Sequence, residues 1–266
     1  MDQPIRALVS GSGKMGAAII SALAAADGIE PVGVLEKFAA APAYAMPAGG
    51  ELPMSADPAQ IMDGTRPDVV IDFTNAEWTP RVVDAAVERG VRLVIGTSGL
   101  SADFVDDLRR RCVERRLGAV IVANFALGAI LLMHMAKLAA RYFDAVEIIE
   151  LHHDQKVDAP SGTALTTARL MLEAREGRPF GRNVPSLEPV QGARAAEFGG
   201  VSLHSVRLPG LVAHQEVIFG GPGQTLTLRH DTYGRESFMP GIILAVREVM
   251  RRQELVVGLD TLIGLT

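Results

Sequence analysis

Short apolar runs alternate with amphipathic segments over the first half of the chain. The runs are rich in Val, Ile and Leu and predict buried strands at 5–10, 31–36, 68–72, 92–95 and 119–122. Between several of them, apolar residues recur at the spacing of a helix face, at 15–26, 79–89 and 101–116. Strands that alternate with helices in this way form a parallel sheet with right-handed crossovers. The pattern therefore predicts an α/β fold with an N-terminal doubly wound (Rossmann) parallel sheet.

The pattern changes in the second half, where polar and apolar residues alternate along strand-length segments. These segments lie at 146–151, 201–208, 214–219 and 225–233, and one helical segment, 164–175, interrupts them. Alternation of this kind is typical of a sheet with one solvent-exposed face. We therefore expect a second, α+β domain with a mixed or antiparallel sheet.

Two less regular segments and an apolar tail complete the prediction. Residues 38–62 are rich in Ala, Pro and Gly and are expected to form a loop with a weak helix, whereas 176–200 are expected to form a long surface excursion. A helix at 242–250 precedes a tail that is too apolar to remain in solvent, so the tail is expected to pack back on the first domain. The predicted domains are 1–125 together with 238–266, and 126–237.

Composition and charge indicate a globular protein and argue against a nucleic-acid-binding or disulfide-linked one. Of the 266 residues, 48% are hydrophobic and 21% are charged, which is typical of a globular chain with a sizeable core. Asp and Glu (31) outnumber Lys and Arg (26), so a nucleic-acid partner is not expected. Cys112 is the single cysteine, which excludes an intramolecular disulfide and favours a reducing, intracellular setting.

The N-terminal residues and one long apolar segment bear on localisation. The first residues lack a basic stretch followed by an apolar stretch of signal-peptide length, which favours the cytoplasm. Residues 118–136 have about the length of a membrane span, but Asn124 divides them into a β-branched part and a part rich in Ala, Leu and Met. This division is typical of a buried strand followed by a buried helix, so no membrane partner is expected.

A glycine-rich turn follows the first predicted strand and opens the first predicted helix. Its residues form a GxGxxG pattern: Gly11, Ser12, Gly13, Lys14, Met15 and Gly16. In this position the first glycine makes a tight turn, the second admits a pyrophosphate, and the third lets helix and strand pack closely. The helix N-terminus adds free N–H groups and a positive dipole end. The sequence therefore predicts a dinucleotide site, and the alternative is a glycine turn that binds no ligand.

An acid followed by a base stands at the end of the second predicted strand. Glu36 lies twenty residues past Gly16, where an acid normally accepts a hydrogen bond from the ribose 2′-hydroxyl. An acid alone would repel a 2′-phosphate and select NAD, but the adjacent Lys37 offers NADP a counter-charge. We therefore expect both NADH and NADPH to be used.

Small polar clusters follow two later strands of the predicted parallel sheet. Because ligands of a doubly wound sheet bind beyond the carboxyl ends of its strands, both clusters are predicted to contact the nicotinamide half of the cofactor. The alternative for each cluster is a helix cap or a turn. The residues are Gly96, Thr97 and Ser98 in the first cluster, and Ala123, Asn124, Phe125 and Ala126 in the second.

Two histidines and a lysine follow the strand predicted at 146–151. His152, His153 and Lys156 place proton donors and positive charge together, which suits them to binding an acid and delivering a proton near neutral pH. The alternative is a set of ordinary packed or surface side chains. Adjacent histidines point to opposite sides of an extended chain and no third ligand has suitable spacing, so no metal site is predicted.

A helix is predicted to begin just beyond these side chains. Either Ser161 or Thr163 can cap it, and the backbone N–H groups of Gly162 and Thr163 then face outward. Free N–H groups at a helix N-terminus are a ready site for an anion. The sequence therefore predicts that this turn binds a substrate carboxylate.

These motifs together resemble those of one family. They are the GxGxxG turn, Asp72-Phe73-Thr74, Gly96-Thr97-Ser98, Ala123-Asn124-Phe125 and, above all, Glu150-Leu151-His152-His153 with Lys156 and Asp158-Ala159-Pro160-Ser161-Gly162-Thr163-Ala164. Over nearly its whole length the chain resembles the bacterial 4-hydroxy-tetrahydrodipicolinate reductases. The resemblance implies a two-domain homotetramer that reduces a small cyclic dicarboxylate with NADH or NADPH in diaminopimelate and lysine biosynthesis.

The resemblance also implies a role for each residue of the histidine-lysine segment. His152 is implied as proton donor and acceptor, Lys156 as proton donor and His153 as a substrate contact. Gly162 and Thr163 are implied to hold a substrate carboxylate. The first domain is then the dinucleotide-binding domain, and the second binds substrate and forms the tetramer.

One departure and two alternatives accompany this interpretation. Many members of the family carry GxxGxxG, whereas a single residue separates Gly11 from Gly13 here. One alternative is another two-domain NAD(P)-dependent dehydrogenase with a different substrate. The other is a non-catalytic dinucleotide sensor, for which proton donors beside an anion site are not required.

Overall fold

A computed structural model describes residues 3–47, 49–182 and 184–265, and its chain divides into two compact units. One unit comprises Met1–Leu127 and Arg235–Thr266, and the other comprises Gly128–Gly234. The strands are β1 (Ile5–Ser10), β2 (Ile29–Leu35), β3 (Ala43–Ala45), β4 (Glu51–Ser55), β5 (Val69–Asp72), β6 (Arg92–Ile95), β7 (Ala119–Ile121), β8 (Ala145–His152), β9 (Ala196–Phe198), β10 (Val201–Arg207), β11 (Ala213–Gly221), β12 (Gln224–Thr232) and β13 (Leu255–Val257). The helices are α1 (Lys14–Ala24), α2 (Pro58–Thr65), α3 (Thr79–Glu88), α4 (Ala102–Arg115), α5 (Leu127–Ala139), α6 (Gly162–Ala174), α7 (Met239–Val249) and α8 (Leu259–Leu262), with a short 3₁₀ helix at Arg235–Phe238.

The first unit is built on a sheet of eight strands within the described ranges, in the order β13-β7-β6-β5-β1-β2-β4-β3. Neighbouring strands are parallel except β3, which runs antiparallel to β4. Because β1 lies between β2 and β5, the strand order reverses there. Such a reversal opens a crevice at the carboxyl end of the strand, and the glycine turn follows β1 directly.

The apolar runs of this unit are buried between layers of helices. Leu8, Val70 and Leu93 on the central strands belong to one core, which also includes Val82 of α3 and Leu108 of α4. Burial on both faces removes the need for polar alternation, which is why these strands appear as continuous apolar runs. The C-terminal segment takes part in the same sheet, since β13 pairs in parallel with β7.

The second unit contains a mixed sheet in the order β12-β11-β8-β10-β9. β8 runs parallel to β10 and antiparallel to β11. Ile148 of β8 and Val217 of β11 share a core with Leu132 of α5 and Ala164 of α6, so these two helices cover one face of the sheet. The predicted fold class, a doubly wound parallel sheet with a second α+β domain, is confirmed.

The sequence prediction was wrong in two irregular segments. Residues 38–62 contain the strands β3 and β4, which were not predicted, and the first part of α2, which corresponds to the expected weak helix. The predicted excursion at 176–200 contains β9. β3 and β9 are edge strands and β4 lies next to the edge, and most residues of the three strands are half-buried or exposed. Because an edge strand buries few side chains, it needs no apolar run that a periodicity search can detect.

The long apolar segment at 118–136 divides as expected into a strand and a helix. β7 lies before Asn124, and α5 begins after it. In the part of the chain that the structure describes, no helix is both long enough and apolar enough to cross a membrane.

Candidate active site

The glycine turn after β1 has the geometry that its three glycines predict. Gly11 has φ +99°, a left-handed conformation that favours glycine. A Cβ on Gly16 would lie 1.9 Å from the Gly11 carbonyl oxygen, so only glycine lets α1 start this close to the turn. A Cβ on Gly13 would meet nothing within 4 Å, and this glycine lies on the open side of the turn. The open side has room for a phosphate beside the N-terminus of α1.

The acid after β2 closes onto the glycine turn. The Ser12 amide and hydroxyl both donate to Glu36 Oε2, over 2.8 and 2.6 Å. The Phe38 amide donates to Glu36 Oε1 over 3.3 Å. Burial opposes ionisation of this carboxyl, but the bonds from Ser12 and the Phe38 amide outweigh it and lower the pKa of Glu36 below its ordinary value. Glu36 is therefore an ionised acceptor at the mouth of the turn.

The basic residues predicted for this site differ in their surroundings. Lys37 Nζ forms an ion pair with Glu77 Oε1 at 2.9 Å, and the ammonium lies 5.9 Å from the centre of the Trp78 ring. Lys14, the first residue of α1, is exposed, and Met15 beside it is half-buried. A second anion at Lys37 would have to compete with the Glu77 carboxylate.

A buried carboxylate that the sequence did not single out as a site residue organises the ends of β5 and β6. Asp72 is fully buried and accepts hydrogen bonds from three threonine hydroxyls over 2.6 to 2.9 Å. The donors are Thr74, Thr79 and Thr97. The Thr97 hydroxyl also accepts from the Thr74 amide at 3.1 Å, which joins the two strand ends.

The predicted nicotinamide clusters lie at the ends of β6 and β7. The Phe73 and Phe125 rings pack with their centres 5.0 Å apart, and a Cβ on Gly96 would lie 2.3 Å from the Phe73 ring. Asn124 Oδ1 accepts from the Ala126 amide at 2.9 Å, so its side chain supports a turn. Two other members of the clusters are exposed, namely Ser98 and Ala123.

In the second unit, β8 ends at the first of the two histidines. His152 Nδ1 lies 2.5 Å from Glu150 Oε2, and both side chains stand on the helix-facing side of the strand. His153 follows the strand and is exposed. The adjacent histidines therefore differ in burial, and the first of them has a carboxylate partner.

Glu150 is fully buried and forms a two-bond ion pair with Arg207 of β10. The guanidinium donates to Oε1 at 2.7 Å and to Oε2 at 2.9 Å. Burial alone would raise the pKa of the Glu150 carboxyl, but hydrogen bonds from Arg207, from the Ser205 hydroxyl and from the neighbouring imidazole outweigh it and lower that pKa. The carboxylate is therefore ionised.

The imidazole of His152 is surrounded by charges of both signs. Burial is the largest effect and lowers the pKa of His152, and the cations Lys156 and Arg207 lower it further. The Glu150 carboxylate raises this pKa but does not outweigh the other effects. With a pKa below its ordinary value, the imidazole is mainly neutral at neutral pH.

Lys156 lies in the turn between β8 and α6. Its ammonium donates to Asp158 Oδ1 over 2.6 Å, and its side chain is 23% exposed. Hydrogen bonding to Lys156 lowers the pKa of Asp158. The Asp158 backbone oxygen accepts from Arg207 at 2.7 Å, so the turn is attached to the same guanidinium that binds Glu150.

The helix α6 begins at the predicted anion turn. Ser161 is its N-cap, since Ser161 Oγ accepts from the Ala164 amide at 3.2 Å. The Gly162 and Thr163 amides belong to the first turn of the helix, where N–H groups have no intrahelical partner. A Cβ on Gly162 would meet nothing within 4 Å, so there is open space beside these donors.

The structure thus groups the predicted residues into two sets and adds partners that were missed. The glycine turn, Glu36 and Lys37 lie together in the first unit, and the histidine-lysine segment lies with the α6 N-terminus in the second. The added partners are Asp72, Glu77, Glu150, Asp158 and Arg207. An acid two residues before His152 on one strand is a signal for the carboxylate-histidine pair, because side chains at i and i+2 share a face.

Two family models together match most of the chain. The model of the family described as "Dihydrodipicolinate reductase, N-terminus" matches residues 5–125, and that of its C-terminus matches residues 128–263. The chain belongs to the dihydrodipicolinate reductase family. The resemblance drawn from the sequence motifs is therefore confirmed.

Individual relatives are similar over nearly their whole length. A 4-hydroxy-tetrahydrodipicolinate reductase of Dehalococcoides mccartyi is 47% identical, over 98% of this chain and 99% of the relative. A protein of the same name from Moorella thermoacetica is 47% identical, over 97% and 98%. Among solved structures, a dipicolinate-bound dihydrodipicolinate reductase from Paenisporosarcina sp. TG-14 is 39% identical, with a TM-score of 0.87 over 97% of this chain and 99% of that one.

Proposed function

We propose that this protein reduces 4-hydroxy-tetrahydrodipicolinate to tetrahydrodipicolinate with NADH or NADPH, a step of diaminopimelate and lysine biosynthesis. The observation that carries this proposal is the grouping of His152, Lys156 and the open N-terminus of α6 in a chain that matches the reductase family throughout. The predicted class, an NAD(P)H-dependent reductase, is confirmed at the level of the family.

The substrate is a small dicarboxylate, and the proposed site offers it donors and positive charge. The Gly162 and Thr163 amides at the start of α6 would bind one carboxylate. His153 is exposed directly after β8 and would contact the substrate. The related Paenisporosarcina enzyme was solved with dipicolinate bound, which is an aromatic dicarboxylate and supports the same class of ligand.

The first unit has the features that a dinucleotide needs. Gly13 leaves open space at the α1 N-terminus, and Glu36 presents an ionised carboxylate beside the turn. When bound, the reduced nicotinamide supplies the hydride. The proposed cofactor-binding residues are Gly11, Ser12, Gly13, Lys14, Met15, Gly16, Glu36, Lys37, Gly96, Thr97, Ser98, Ala123, Asn124, Phe125 and Ala126.

Loss of water from the 4-hydroxy compound gives an unsaturated ring, and addition of a hydride to that ring leaves electron density that must be protonated. We assign proton delivery to Lys156, whose ammonium is a charged donor, and proton exchange to the neutral imidazole of His152. Asp158 holds the Lys156 ammonium at 2.6 Å and so restricts its position. With these two roles, the reduced ring receives one proton in each turnover at neutral pH.

The domain assignment, location and assembly are parts of the same proposal. Residues 1–125 with 238–266 form the dinucleotide-binding domain, and residues 126–237 form the substrate-binding and tetramerisation domain. We place the protein in the cytoplasm as a homotetramer, on the family resemblance. Sedimentation equilibrium tests the assembly, and a monomer mass of 28.3 kDa would contradict it.

Substrate-dependent oxidation of NADH and NADPH tests the function. The purified protein is given the condensation product of pyruvate and aspartate semialdehyde, generated in the assay. We expect rapid loss of reduced-nicotinamide absorbance, and the Lys156→Ala and His152→Ala variants should each lose about 10²–10⁴-fold in kcat. NADH affinity should be unchanged in both variants, because the glycine turn belongs to the first unit. NADH binding without oxidation by the wild type would contradict the proposal and favour a dinucleotide sensor.

A further inference from the structure

The Glu150 carboxylate is surrounded by hydrogen-bond donors from three separate segments of the second unit. Its Oε1 accepts from Arg207 Nη2 at 2.7 Å and from the Ser161 amide at 3.3 Å. Its Oε2 accepts from Arg207 Nη1 at 2.9 Å and lies 2.5 Å from His152 Nδ1. The residue is fully buried, so water does not compete for these bonds.

The chemistry of the donors decides which nitrogen of the histidine carries hydrogen. A guanidinium and a backbone amide can only donate, whereas an imidazole nitrogen can donate or accept. An ionised carboxylate only accepts, so His152 Nδ1 must carry the hydrogen that faces Glu150. In the neutral ring the lone pair is then on Nε2.

We propose that Glu150 is a positioning residue that fixes His152 in the Nδ1–H form and so makes Nε2 the atom that takes up and releases the proton. This role rests on the proposed function, in which His152 exchanges protons with the substrate. Through the Ser161 amide, the same carboxylate contacts the N-cap of α6, where the substrate carboxylate is proposed to bind. Glu150 thereby holds the orientation of the imidazole relative to the anion site.

Arg207 completes this arrangement from β10, the parallel neighbour of β8. It binds both oxygens of Glu150 and also donates to the Asp158 backbone oxygen at 2.7 Å. Lys156 is paired with the Asp158 side chain, so both proposed proton-transfer groups are attached to the Glu150–Arg207 pair. The charged groups around the His152 ring are Glu150 on its own strand, Arg207 on β10 and Lys156 in the following turn.

Replacing Glu150 with glutamine tests the tautomer directly. The carbonyl oxygen of glutamine is expected to take the Oε1 position, where it accepts from Arg207 Nη2 and the Ser161 amide, because an NH₂ group there would face two donors that cannot accept. At the Oε2 position the NH₂ group faces one such donor, Arg207 Nη1. The NH₂ group then faces His152, which can accept at Nδ1 by moving its hydrogen to Nε2. We therefore expect Glu150→Gln to convert His152, wholly or in part, from the Nδ1–H to the Nε2–H form.

The measurement is ¹⁵N NMR of the full-length protein labelled at its six histidines. The His152 signals are assigned by their loss from the spectrum of His152→Asn. We expect the wild type to show Nδ1–H at high pH and Glu150→Gln to show Nε2–H. The midpoint of the His152 titration should also move to lower pH in Glu150→Gln, because the carboxylate raises the pKa of this imidazole.

Kinetics supply the second readout. In Glu150→Gln, kcat should fall about 10- to 100-fold, as part of the contribution of a general acid-base group. The limb of the kcat profile that reports His152 should shift to lower pH with the NMR midpoint. The KM for NADH should stay unchanged, because Glu150 lies in the second unit and the glycine turn in the first.

A matched control stands on the same strand. Glu147 also pairs with a histidine and an arginine, with His204 Nε2 at 2.7 Å and Arg194 Nη2 at 2.5 Å. Glu147 stands three positions before Glu150, so its side chain lies on the opposite face of β8. Glu147→Gln removes the same charge and should leave kcat, its pH profile and the His152 tautomer unchanged.

The outcomes separate the positioning role from the proposed function. An Nε2–H form of His152 in the wild type would overturn the positioning role, and it requires no variant to fold. A Glu150→Gln protein that kept the wild-type tautomer, pH profile and kcat would overturn it as well. A wild type that did not oxidise NAD(P)H would overturn the proposed function, and the NMR result would still decide the role of Glu150.

Discussion

At the residue scale, both candidate sites depend on ion pairs that an incoming anion must share or displace. Lys156 is paired with Asp158, and Lys37 is paired with Glu77. In the second case the partner is 82% exposed, so solvent screens the pair and its net strength is small. We therefore expect a doubly charged 2′-phosphate to replace Glu77 as the partner of Lys37.

Cofactor preference tests this arrangement. Lys37→Ala should weaken NADPH binding roughly 10-fold relative to NADH, since one charge-assisted hydrogen bond contributes about 1.5 kcal/mol. Glu77→Gln keeps the lysine and removes its competitor, so it should shift the ratio toward NADPH. The measurement is fluorescence titration of both cofactors. Equal loss of both cofactors in Lys37→Ala would contradict the assignment of Lys37 to the 2′-phosphate.

The residues that the sequence indicated are those whose chemistry lies in one short segment. The GxGxxG turn and the His152 to Thr163 segment are each continuous, so spacing alone predicts them. The pairing of Glu150 with Arg207 joins positions 57 residues apart, and that of Asp72 with Thr97 joins positions 25 apart. Such pairs depend on which strands become neighbours, and strand order is not visible in local periodicity.

At the element scale, the N-terminus of α6 combines a structural cap with a proposed binding site. Ser161→Ala removes the acceptor of the Ala164 amide and should lower the free energy of unfolding by about 1 kcal/mol. Loss of the cap should also loosen the first turn and raise the KM for the substrate. Urea unfolding and steady-state kinetics measure the two effects.

The N-cap of α4 offers a control for this change. Ser101 Oγ accepts from the Phe104 amide at 3.2 Å, the same bond length as in α6. Ser101→Ala should lower stability by a similar amount and leave the KM for the substrate unchanged. If both variants raised that KM equally, the α6 N-terminus would have no special part in substrate binding.

Two glycines at the start of α1 have different roles. Gly16 permits close packing of the helix on the turn, and Gly13 is proposed to admit a phosphate. Gly16→Ala places a Cβ 1.9 Å from a backbone oxygen, so it should destabilise the protein by about 1–3 kcal/mol. Gly13 has φ −68°, and a Cβ on it would meet nothing within 4 Å, so Gly13→Ala should fold normally. The added methyl group should weaken NADH binding, because it would occupy the space proposed for the phosphate. Thermal unfolding and cofactor titration measure both variants. Unchanged NADH affinity in a folded Gly13→Ala protein would contradict the phosphate site.

Element prediction succeeded where burial imposes a period and failed at the short strands β3, β4 and β9. Four of the six residues of β1 and three of the four residues of β5 are apolar, and α3 carries Val82, Val83 and Ala86 on its buried face. The short strands β3 and β9 have no fully buried residue. Their pairing depends on backbone hydrogen bonds to the neighbouring strand, and these bonds do not require any particular order of polar and apolar side chains.

At the scale of the whole molecule, the C-terminal residues belong to the same compact unit as the N-terminal residues, although the two segments are far apart in sequence. The family's C-terminal match runs from 128 to 263, yet Arg235–Thr266 belongs to the same unit as the N-terminal residues. From its apolar character the tail was expected to pack on the first domain, but its pairing with β7 was not predicted. Its pairing partner, β7, was set by the order of strands in the finished sheet.

We propose that this chain transfers a hydride from a reduced nicotinamide to a cyclic dicarboxylate. The most direct measurement uses NADH that carries deuterium at the transferable C4 position, with 4-hydroxy-tetrahydrodipicolinate generated in the assay. Mass spectrometry of the product should show tetrahydrodipicolinate with one added deuterium, formed by the wild type and formed about 10²–10⁴-fold more slowly by Lys156→Ala. Oxidised cofactor without deuterium in the product, or no product from a wild type that binds NADH, would contradict the claim.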